Sequence, residues 1–194
     1  MPSAEKEPDT ASAFRFYRDL LLAVTANKLF LVFDRDQMPH FDGIGPDIER
    51  KIESLEDLAA IKKACDGFLR GSNIDDSKVF DIVISVSEAV SNVLKHAEKG
   101  FFRLFIKDSS CFVLVSDSGK GMPLDEIPSS VQPGHSSKDS LGMGFSIMLE
   151  LAEAAYIYTD SKGTVLLLKI SLDRKSSIPD LSEENENALD SELI

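Results

Sequence analysis

The apolar residues in the middle of the chain follow a helical period in two successive segments. In the first, they recur every three or four positions over residues 55–69, behind a capping Ser54 and an acidic first turn. In the second, over about residues 78–97, they line one face, whose members are Ile82, Val86, Val90, Val93 and Ala97. These patterns predict two amphipathic helices, the first stopped at Gly71 and the second at Gly100.

The flanking segments predict strands and two further helices. Runs rich in β-branched and aromatic residues are interrupted by polar turn residues, as in hairpins. The predicted strands are residues 29–33, about 48–52, 101–107, 111–116, 155–159 and 164–170, and the further helices are residues 14–25 and 144–154. The predicted fold class is an α/β (α+β) two-layer sandwich, with a mixed, mainly antiparallel sheet and helices on one face.

Composition divides the chain into four regions. Residues 1–12 are polar and predicted to be disordered. Residues 13–46 form a helix–strand extension and linker, interpreted as a cover for the core or a dimer contact, with partner docking as an alternative. Residues 47–172 form the main domain. Residues 173–194 form an acidic tail, which is either solvated and disordered or docks on a partner as a short helix.

Composition also narrows the function classes. The formal charge is −12, from 33 acidic and 21 basic residues, so neither nucleic acid nor an anionic membrane is an expected partner. No signal-peptide pattern is visible, and no apolar run approaches the roughly 20 residues that span a bilayer. Cys65 and Cys111 form no CxxC pair and suit buried positions in a reducing compartment. We therefore expect a cytoplasmic protein.

The helix predicted over residues 78–97 carries polar residues opposite its apolar face. Glu88, Asn92 and His96 follow one another at intervals of four, so they share one side of the helix. A carboxylate there can accept a proton from an attacking hydroxyl, and an amide oxygen is a ligand that Mg²⁺ accepts beside phosphates. Glu88 is therefore a candidate general base, and Asn92 is a candidate magnesium ligand.

Two glycine turns add to this pattern. Asp117 follows a predicted strand, where its carboxylate can accept a hydrogen bond from an exocyclic amine such as that of adenine. Gly119 and Gly121 would let the backbone approach a flat ring. Gly142 and Gly144 open an apolar helix, whose first N–H groups can bind phosphate. Each signal alone is more often structural, but their order and spacing point to a site for ATP with Mg²⁺.

The three segments resemble the N box, G1 box and G2 box of the histidine-kinase-like (GHKL) ATPase superfamily. Within it, SEAVSNVLKHA at residues 87–97 and SLGMGFSIM at residues 140–148 are most similar to segments of bacterial anti-sigma factor serine/threonine protein kinases. The resemblance covers about residues 46–172. It implies the histidine-kinase-like ATPase (Bergerat) fold for this part of the chain.

The resemblance also implies roles for single residues. Glu88 corresponds to the catalytic base, Asn92 to the magnesium ligand and Asp117 to the adenine partner. Further residues are implied to contact the nucleotide: His96, Gly119, Gly121, Met122, Gly142, Met143, Gly144, Phe145 and Thr164. Lys138 lies in a polar stretch, residues 122–141, that is predicted to be a mobile lid, and it is a candidate for binding the γ-phosphate.

The three histidines admit simpler interpretations. His96 equally suits a helix end, where its ring would interact with the last carbonyl groups. His135 is expected to be a solvated loop residue, and His40 an inert linker residue. The sequence contains no Cys/His cluster that suggests zinc.

The resemblance implies a kinase that transfers the ATP γ-phosphate to a serine of an anti-anti-sigma protein, sequesters a sigma factor and forms a homodimer. Members often carry an Arg before the GMG turn, where this chain has Ser140 and Leu141. That departure puts the catalytic rate in question more than nucleotide binding. The N-terminal extension and the acidic tail put the sigma-factor partner in question.

Three alternatives remain open. The first is a nucleotide-binding switch module without kinase activity, against which the retained Glu88 argues weakly. The second is a detached ATP-binding domain of a sensor histidine kinase, although His40, the histidine that precedes the domain, sits among Pro and Gly residues. The third is a structural dimer that binds no nucleotide.

Overall fold

A computed structural model describes residues 10–97, 99–131 and 144–173. The helices are α1 (Thr10–Val24), α2 (Leu55–Gly71), α3 (Asp76–His96), α4 (Ile127–Ser130) and α5 (Gly144–Leu151). The strands are β1 (Leu29–Leu31), β2 (Ile48–Ile52), β3 (Gly100–Lys107), β4 (Ser110–Asp117), β5 (Ala154–Asp160) and β6 (Gly163–Ser171). The predicted helices and strands are therefore present, most of them within a few residues of their expected ends.

The six strands form one mixed sheet in the order β1-β5-β6-β4-β3-β2. Only the pair of β1 and β5 is parallel, and the remaining four pairings in the described sheet are antiparallel. In the central pairing, Ser116 of β4 lies opposite Val165 of β6. This register brings the end of β4 beside the start of β6, which is where Asp117 lies.

The main core lies between one face of the sheet and the helices. Helix α3 packs against α2, α5 and β4, and it buries Ile82, Val86 and Val90 completely. Phe102 of β3 is the largest side chain that is fully buried against them. Because apolar residues recur at helical spacing in α3 and alternate in the strands, their buried faces meet in one layer. The predicted two-layer α/β sandwich is confirmed.

The other face of the sheet is covered by the segment that connects β1 to β2. Met38 in this segment is buried with Val165 and Leu167 of β6. The Phe41 ring stacks on Phe105 with the ring centroids 4.1 Å apart, and it meets the edge of Phe112. The Pro and Gly residues of this segment predict a linker. In the structure it supplies a second, smaller core.

The N-terminal segment is joined to the sheet and to α5. Leu21 of α1 is fully buried, and β1 forms the edge strand beside β5. The Lys28 ammonium group donates hydrogen bonds to the carbonyls of Leu149 (2.8 Å) and Glu150 (3.1 Å), at the C-terminal end of α5. Those carbonyls lack helical partners, so the cation satisfies them and complements the helix dipole.

Two glycines that were predicted to end helices have other roles in the structure. Gly71 is the last residue of α2, but the left-handed conformation after it is adopted by Asn73, with a φ of 58°. Helix α3 ends at His96, and Gly100 begins β3. A Cβ atom at Gly100 would lie 2.5 Å from the carbonyl oxygen of Ser116 and 2.8 Å from a methyl group of Val93. Glycine is therefore required there for close packing and not for helix termination.

Candidate functional site

Helix α3 presents Glu88 and Asn92 on the side that is not packed in the core. The helix is capped by Asp75, whose carboxylate accepts the Ser77 N–H. Both Glu88 and Asn92 are partly buried, whereas His96 at the helix end is exposed. The four-residue spacing therefore places the acid and the amide in successive turns of one helix face, as predicted.

The Glu88 carboxylate lies against the first residue of α5. A Cβ atom added at Gly144 would overlap the Glu88 carboxylate oxygen. A side chain at this position would therefore move the Glu88 carboxylate away from the start of α5. The N-terminus of a helix carries partial positive charge and unpaired N–H groups, so the acid stands beside a place suited to an anion.

Asp117 is held at the end of β4 by backbone donors from two directions. One carboxylate oxygen, Oδ1, accepts the N–H of Gly119 at 2.8 Å and the N–H of Thr164 at 3.2 Å. No described residue donates to the second oxygen, Oδ2. The carboxylate is thus fixed in orientation through Oδ1.

The glycine turn after Asp117 is closely packed on both sides. A Cβ at Gly119 would lie 3.0 Å from the Ala97 side chain and 3.1 Å from the His96 carbonyl oxygen. Gly121 has a φ of +72°, and a Cβ there would overlap the Asp160 carbonyl. A side chain at Gly121 would therefore be both strained and obstructed. This turn holds the end of β4 against the end of α3 on one side and the β5–β6 turn on the other.

Thr159 connects this turn to the β5–β6 hairpin. Its hydroxyl accepts the Met122 N–H at 2.7 Å and lies 3.4 Å from the hydroxyl of Thr164, its cross-strand partner. Thr164 in turn donates its N–H to Asp117. The Thr159 hydroxyl therefore joins Met122 to Thr164, and the backbone N–H of Thr164 continues the connection to Asp117. Sequence reasoning missed Thr159, for which the available signal was a threonine at a strand end, just across a polar turn from Thr164.

Gly163 is a second residue whose role sequence reasoning did not identify. It has a φ of +139°, and a Cβ there would overlap the carbonyl oxygen of Asp117. Glycine at this position lets the first residue of β6 pass directly beside the acid. The signal in the sequence was the glycine that precedes Thr164.

Basic residues surround the hollow beside His96. The hollow has a volume of about 510 Å³ and is lined by the end of α3 and by the glycine turn. Its lining residues are Lys95, His96, Ala97, Lys99, Ser118, Gly119 and Lys120. Because the chain as a whole has a net charge of −12, a local group of three lysines is a distinct feature of this surface.

The structure does not place every predicted site residue. Lys138, Gly142 and Met143 lie outside the described residues, as do His135, Ser140 and Leu141. Phe145, on α5, is partly buried and packs against the main core. Of the other predicted residues, Asp117, Gly119, Gly121, Met122 and Thr164 lie around the glycine turn, and His96 lines the hollow beside it. Glu88 lies against Gly144 at the start of α5, and Asn92 lies one helical turn further along α3.

Two negative observations concern the described residues. They contain no group of three or more His, Cys, Asp or Glu side chains that would hold a metal ion by itself. They also contain no helix with the length and hydropathy needed to cross a membrane.

Cys65 and Cys111 are buried, and burial raises the pKa of the Cys65 thiol to about 12. Both thiols are therefore protonated and unreactive in the folded protein.

The fold is similar to those of several solved structures. One is a chain of the SiaB–SiaC complex from Pseudomonas aeruginosa, with 11% identity and a TM-score of 0.54 over 64% of this chain and 89% of that one. Another is the histidine kinase domain of a blue-light activated kinase from Erythrobacter litoralis, with 19% identity and a TM-score of 0.39 over 60% of this chain and 64% of that one. Among curated proteins, none matches this chain.

A family model gives the assignment. The model described as the histidine kinase-like ATPase domain matches residues 53–170, which is more than half of the chain. The matched range contains α3, the glycine turn after β4 and the start of α5, which are the segments that carry the site. A domain of this kind binds nucleotide. The chain belongs to the histidine kinase-like ATPase domain family.

Proposed function

We propose that this protein is an ATP-dependent serine/threonine protein kinase of the anti-sigma factor type, which phosphorylates a serine of an antagonist protein. The observation that carries the proposal is the position of Glu88, whose carboxylate lies against Gly144 at the start of α5. Asn92 lies one helical turn further along the same face. An acid thus adjoins the helix end that is suited to phosphates, and the amide follows one turn along the same helix.

The adenine base binds at the other end of the site. The free Oδ2 of Asp117 accepts a hydrogen bond from the exocyclic amine of adenine, while Oδ1 remains bonded to the backbone. Gly119 and Gly121 permit the ring to lie close to the backbone. The backbone N–H groups of residues 142–145 hold the phosphates, and Lys138 and His96 contribute positive charge or hydrogen bonds.

Mg²⁺ fits the residues that are present. Asn92 supplies an amide oxygen beside the Glu88 carboxylate, and Mg²⁺ takes oxygen ligands while it keeps several waters and binds phosphate oxygens. With few protein ligands required, the lack of a larger acidic cluster among the described residues agrees with such a site. When bound, the ion would supply charge neutralisation for the phosphates.

Glu88 acts as the general base for the transfer. The serine oxygen of the substrate protein forms a bond to the γ-phosphorus, the bond from that phosphorus to the β–γ bridging oxygen breaks, and ADP leaves. The serine proton passes to the Glu88 carboxylate. A positioned base of this kind contributes about 100-fold to 10,000-fold in rate.

A protein substrate is supported by the type of resemblance that residues 87–97 and 140–148 show. A structural neighbour with low sequence identity was itself crystallised as the SiaB–SiaC complex. We propose an anti-anti-sigma protein as the substrate, with a sigma factor as a further partner and a homodimer as the functional form. A nucleotide-binding switch module is the second candidate, because Ser140 and Leu141 stand where related kinases often carry an Arg.

The test is transfer of label from γ-labelled MgATP to proteins in an extract of the source organism. Wild type is compared with Glu88→Gln, and Asp81→Asn serves as a matched control because it makes the same change two turns earlier on α3. A small protein labelled on serine or threonine by wild type and Asp81→Asn, but not by Glu88→Gln, is the expected result. Acid-labile label on the chain itself would instead indicate a histidine kinase. Binding of MgATP without any label would indicate the switch module.

A further inference from the structure

Two hollows meet at Lys120 on the outer side of the glycine turn. The first is the basic hollow beside His96. The second has a volume of about 380 Å³ and is mainly apolar, with Phe14 of α1, Leu31 and Phe33 on one wall and Met122 and Leu124 on the other. Lys120 lines both. Together they form one surface, which we call the Lys120 groove, with an apolar half and a basic half.

The basic half of the groove has no acidic partner in the described part of the chain. None of Lys95, Lys99 and Lys120 forms an ion pair with a described carboxylate within 4.0 Å. Asp160 borders the apolar half, but its two oxygens accept bonds from the Lys162 N–H and the Tyr158 hydroxyl. The groove therefore suits an occupant that is acidic and carries a few apolar side chains.

The acidic tail of the same chain has this composition. Residues 176–194 contain six acidic residues and no Lys or Arg. They also contain apolar residues, of which Leu189 and Leu193 are four apart and would share a face of a short helix.

The tail is long enough to reach the groove. Strand β6 runs from Gly163, beside the glycine turn, to Ser171 at the opposite end of the strand. Its nine residues span roughly 30 Å. The ten residues 174–183 span up to about 33 Å when extended. The acidic residues from Glu183 onward can therefore lie at the lysines without any change in the sheet.

We propose that the acidic tail, residues 176–194, docks in the Lys120 groove of its own chain and lowers the affinity for nucleotide. The proposal rests on the nucleotide site proposed above, because His96 and Gly119 belong to that site and also line the groove. A docked tail places negative charge beside His96 and Gly119 of that site and occupies the lysines. Release of the tail, for example by a partner that binds it, opens the site.

Docking is tested first without nucleotide, by amide NMR of the full chain. The variant replaces the six tail acids with their amides, at Asp180, Glu183, Glu184, Glu186, Asp190 and Glu192. At low salt, the amide chemical shifts of residues 95–99 and 118–124 are expected to differ between the variant and wild type. These chemical-shift differences should shrink at 0.5 M salt. Differences confined to the tail itself would overturn the proposal. Differences that grow with protein concentration would assign the tail to a second copy and overturn its intramolecular form.

The effect of the tail on nucleotide affinity is tested separately, by equilibrium binding of a fluorescent ATP analogue. The amide-tail variant should bind the analogue about three- to tenfold more tightly than wild type, as expected for the loss of a few exposed ion pairs. In a chain that also carries Lys99→Gln and Lys120→Gln, the tail change should have less effect, whereas with Lys51→Gln and Lys63→Gln its effect should persist. An equal tail effect in both backgrounds would show general charge repulsion and overturn docking. If no chain binds the analogue, the proposed nucleotide site fails, and the NMR result still decides docking.

Discussion

The two ends of the proposed nucleotide site differ in whether the backbone or side chains form them. The base end, around Asp117, is held by hydrogen bonds and close contacts between β4, the glycine turn and the β5–β6 hairpin. The phosphate end, in the described part of the chain, consists of the Glu88 side chain against the first residue of α5, with Asn92 one helical turn further along α3. Backbone geometry sets the first end, and side-chain chemistry sets the second.

This difference separates binding from reaction. Because the base end is fixed by the backbone, changes there should act mainly on the affinity for adenine nucleotides. Because the phosphate end carries the acid, changes there should act mainly on the rate of transfer. Substitutions at each end test whether the two ends are separable in this way.

Replacing Glu88 with Gln should have the largest effect. The amide keeps the size of the side chain but cannot accept the serine proton, so transfer should fall by about 100-fold or more. The affinity for ATP, measured by calorimetry, should stay within about twofold of wild type. A loss of ATP affinity as large as the loss of transfer rate would show that the two ends are not separable.

Replacing Asp117 with Asn should weaken ATP binding by about ten- to hundredfold, the range for a lost hydrogen bond to a charged group. Asn can still present an oxygen to the N–H groups of Gly119 and Thr164, so the turn is retained. The control is Asp108→Asn, at the opposite end of the same hairpin, where Asp108 has a left-handed φ of 48° that Asn tolerates. Equal ATP affinity in wild type and Asp117→Asn would contradict the assignment of adenine to this end.

Replacing Thr159 with Val should have a moderate effect on affinity. Valine cannot accept the Met122 N–H, and the lost hydrogen bond is worth about 1 kcal/mol, or about fivefold in ATP affinity. Thr159→Ser retains the hydroxyl and should restore binding. If Val and Ser behave alike, the hydroxyl does not hold the turn in place.

A change at Asp57 should affect neither end. The Glu53 N–H and the Ser54 hydroxyl donate to this carboxylate at the start of α2, and they hold its pKa below the ordinary value of 3.8. Its stabilising contribution is therefore present above about pH 4 and is lost as the pH falls below that value. Chemical denaturation should show Asp57→Asn to be less stable than wild type at pH 7, with the difference shrinking towards pH 3. Altered ATP affinity at pH 7 would mean that the ends are coupled through α2.

Local patterns predicted much of the fold. The periods of α2 and α3, the Ser54 cap and the turn at residues 108–110 are encoded by neighbouring residues, and the structure has all of them. The pairing of Leu29 with Ala155 is a contact between distant segments that no local pattern encodes. The same holds for the cover that Met38 and Phe41 form over the second face.

The candidate site shows the same difference between local patterns, which the sequence reveals, and contacts between distant segments, which it does not. Glu88, Asn92 and Asp117 were identified because helical spacing and a strand end fix their positions. Thr159 was not, since its role depends on the distant Met122 lying beside the β5–β6 hairpin. The close fit between Gly144 and Glu88 likewise depends on how α5 packs against α3, although the glycine itself was identified from its place before an apolar helix.

Single-turnover transfer with Asp117→Asn at saturating ATP decides whether binding and reaction reside at opposite ends of the site. The substrate protein identified by the labelling experiment is present in excess, and the ATP concentration is raised until binding is complete. We expect the transfer rate of Asp117→Asn to approach that of wild type, while Glu88→Gln stays slow at every ATP concentration. A rate for Asp117→Asn that remains low at saturation would contradict the separation of the two ends.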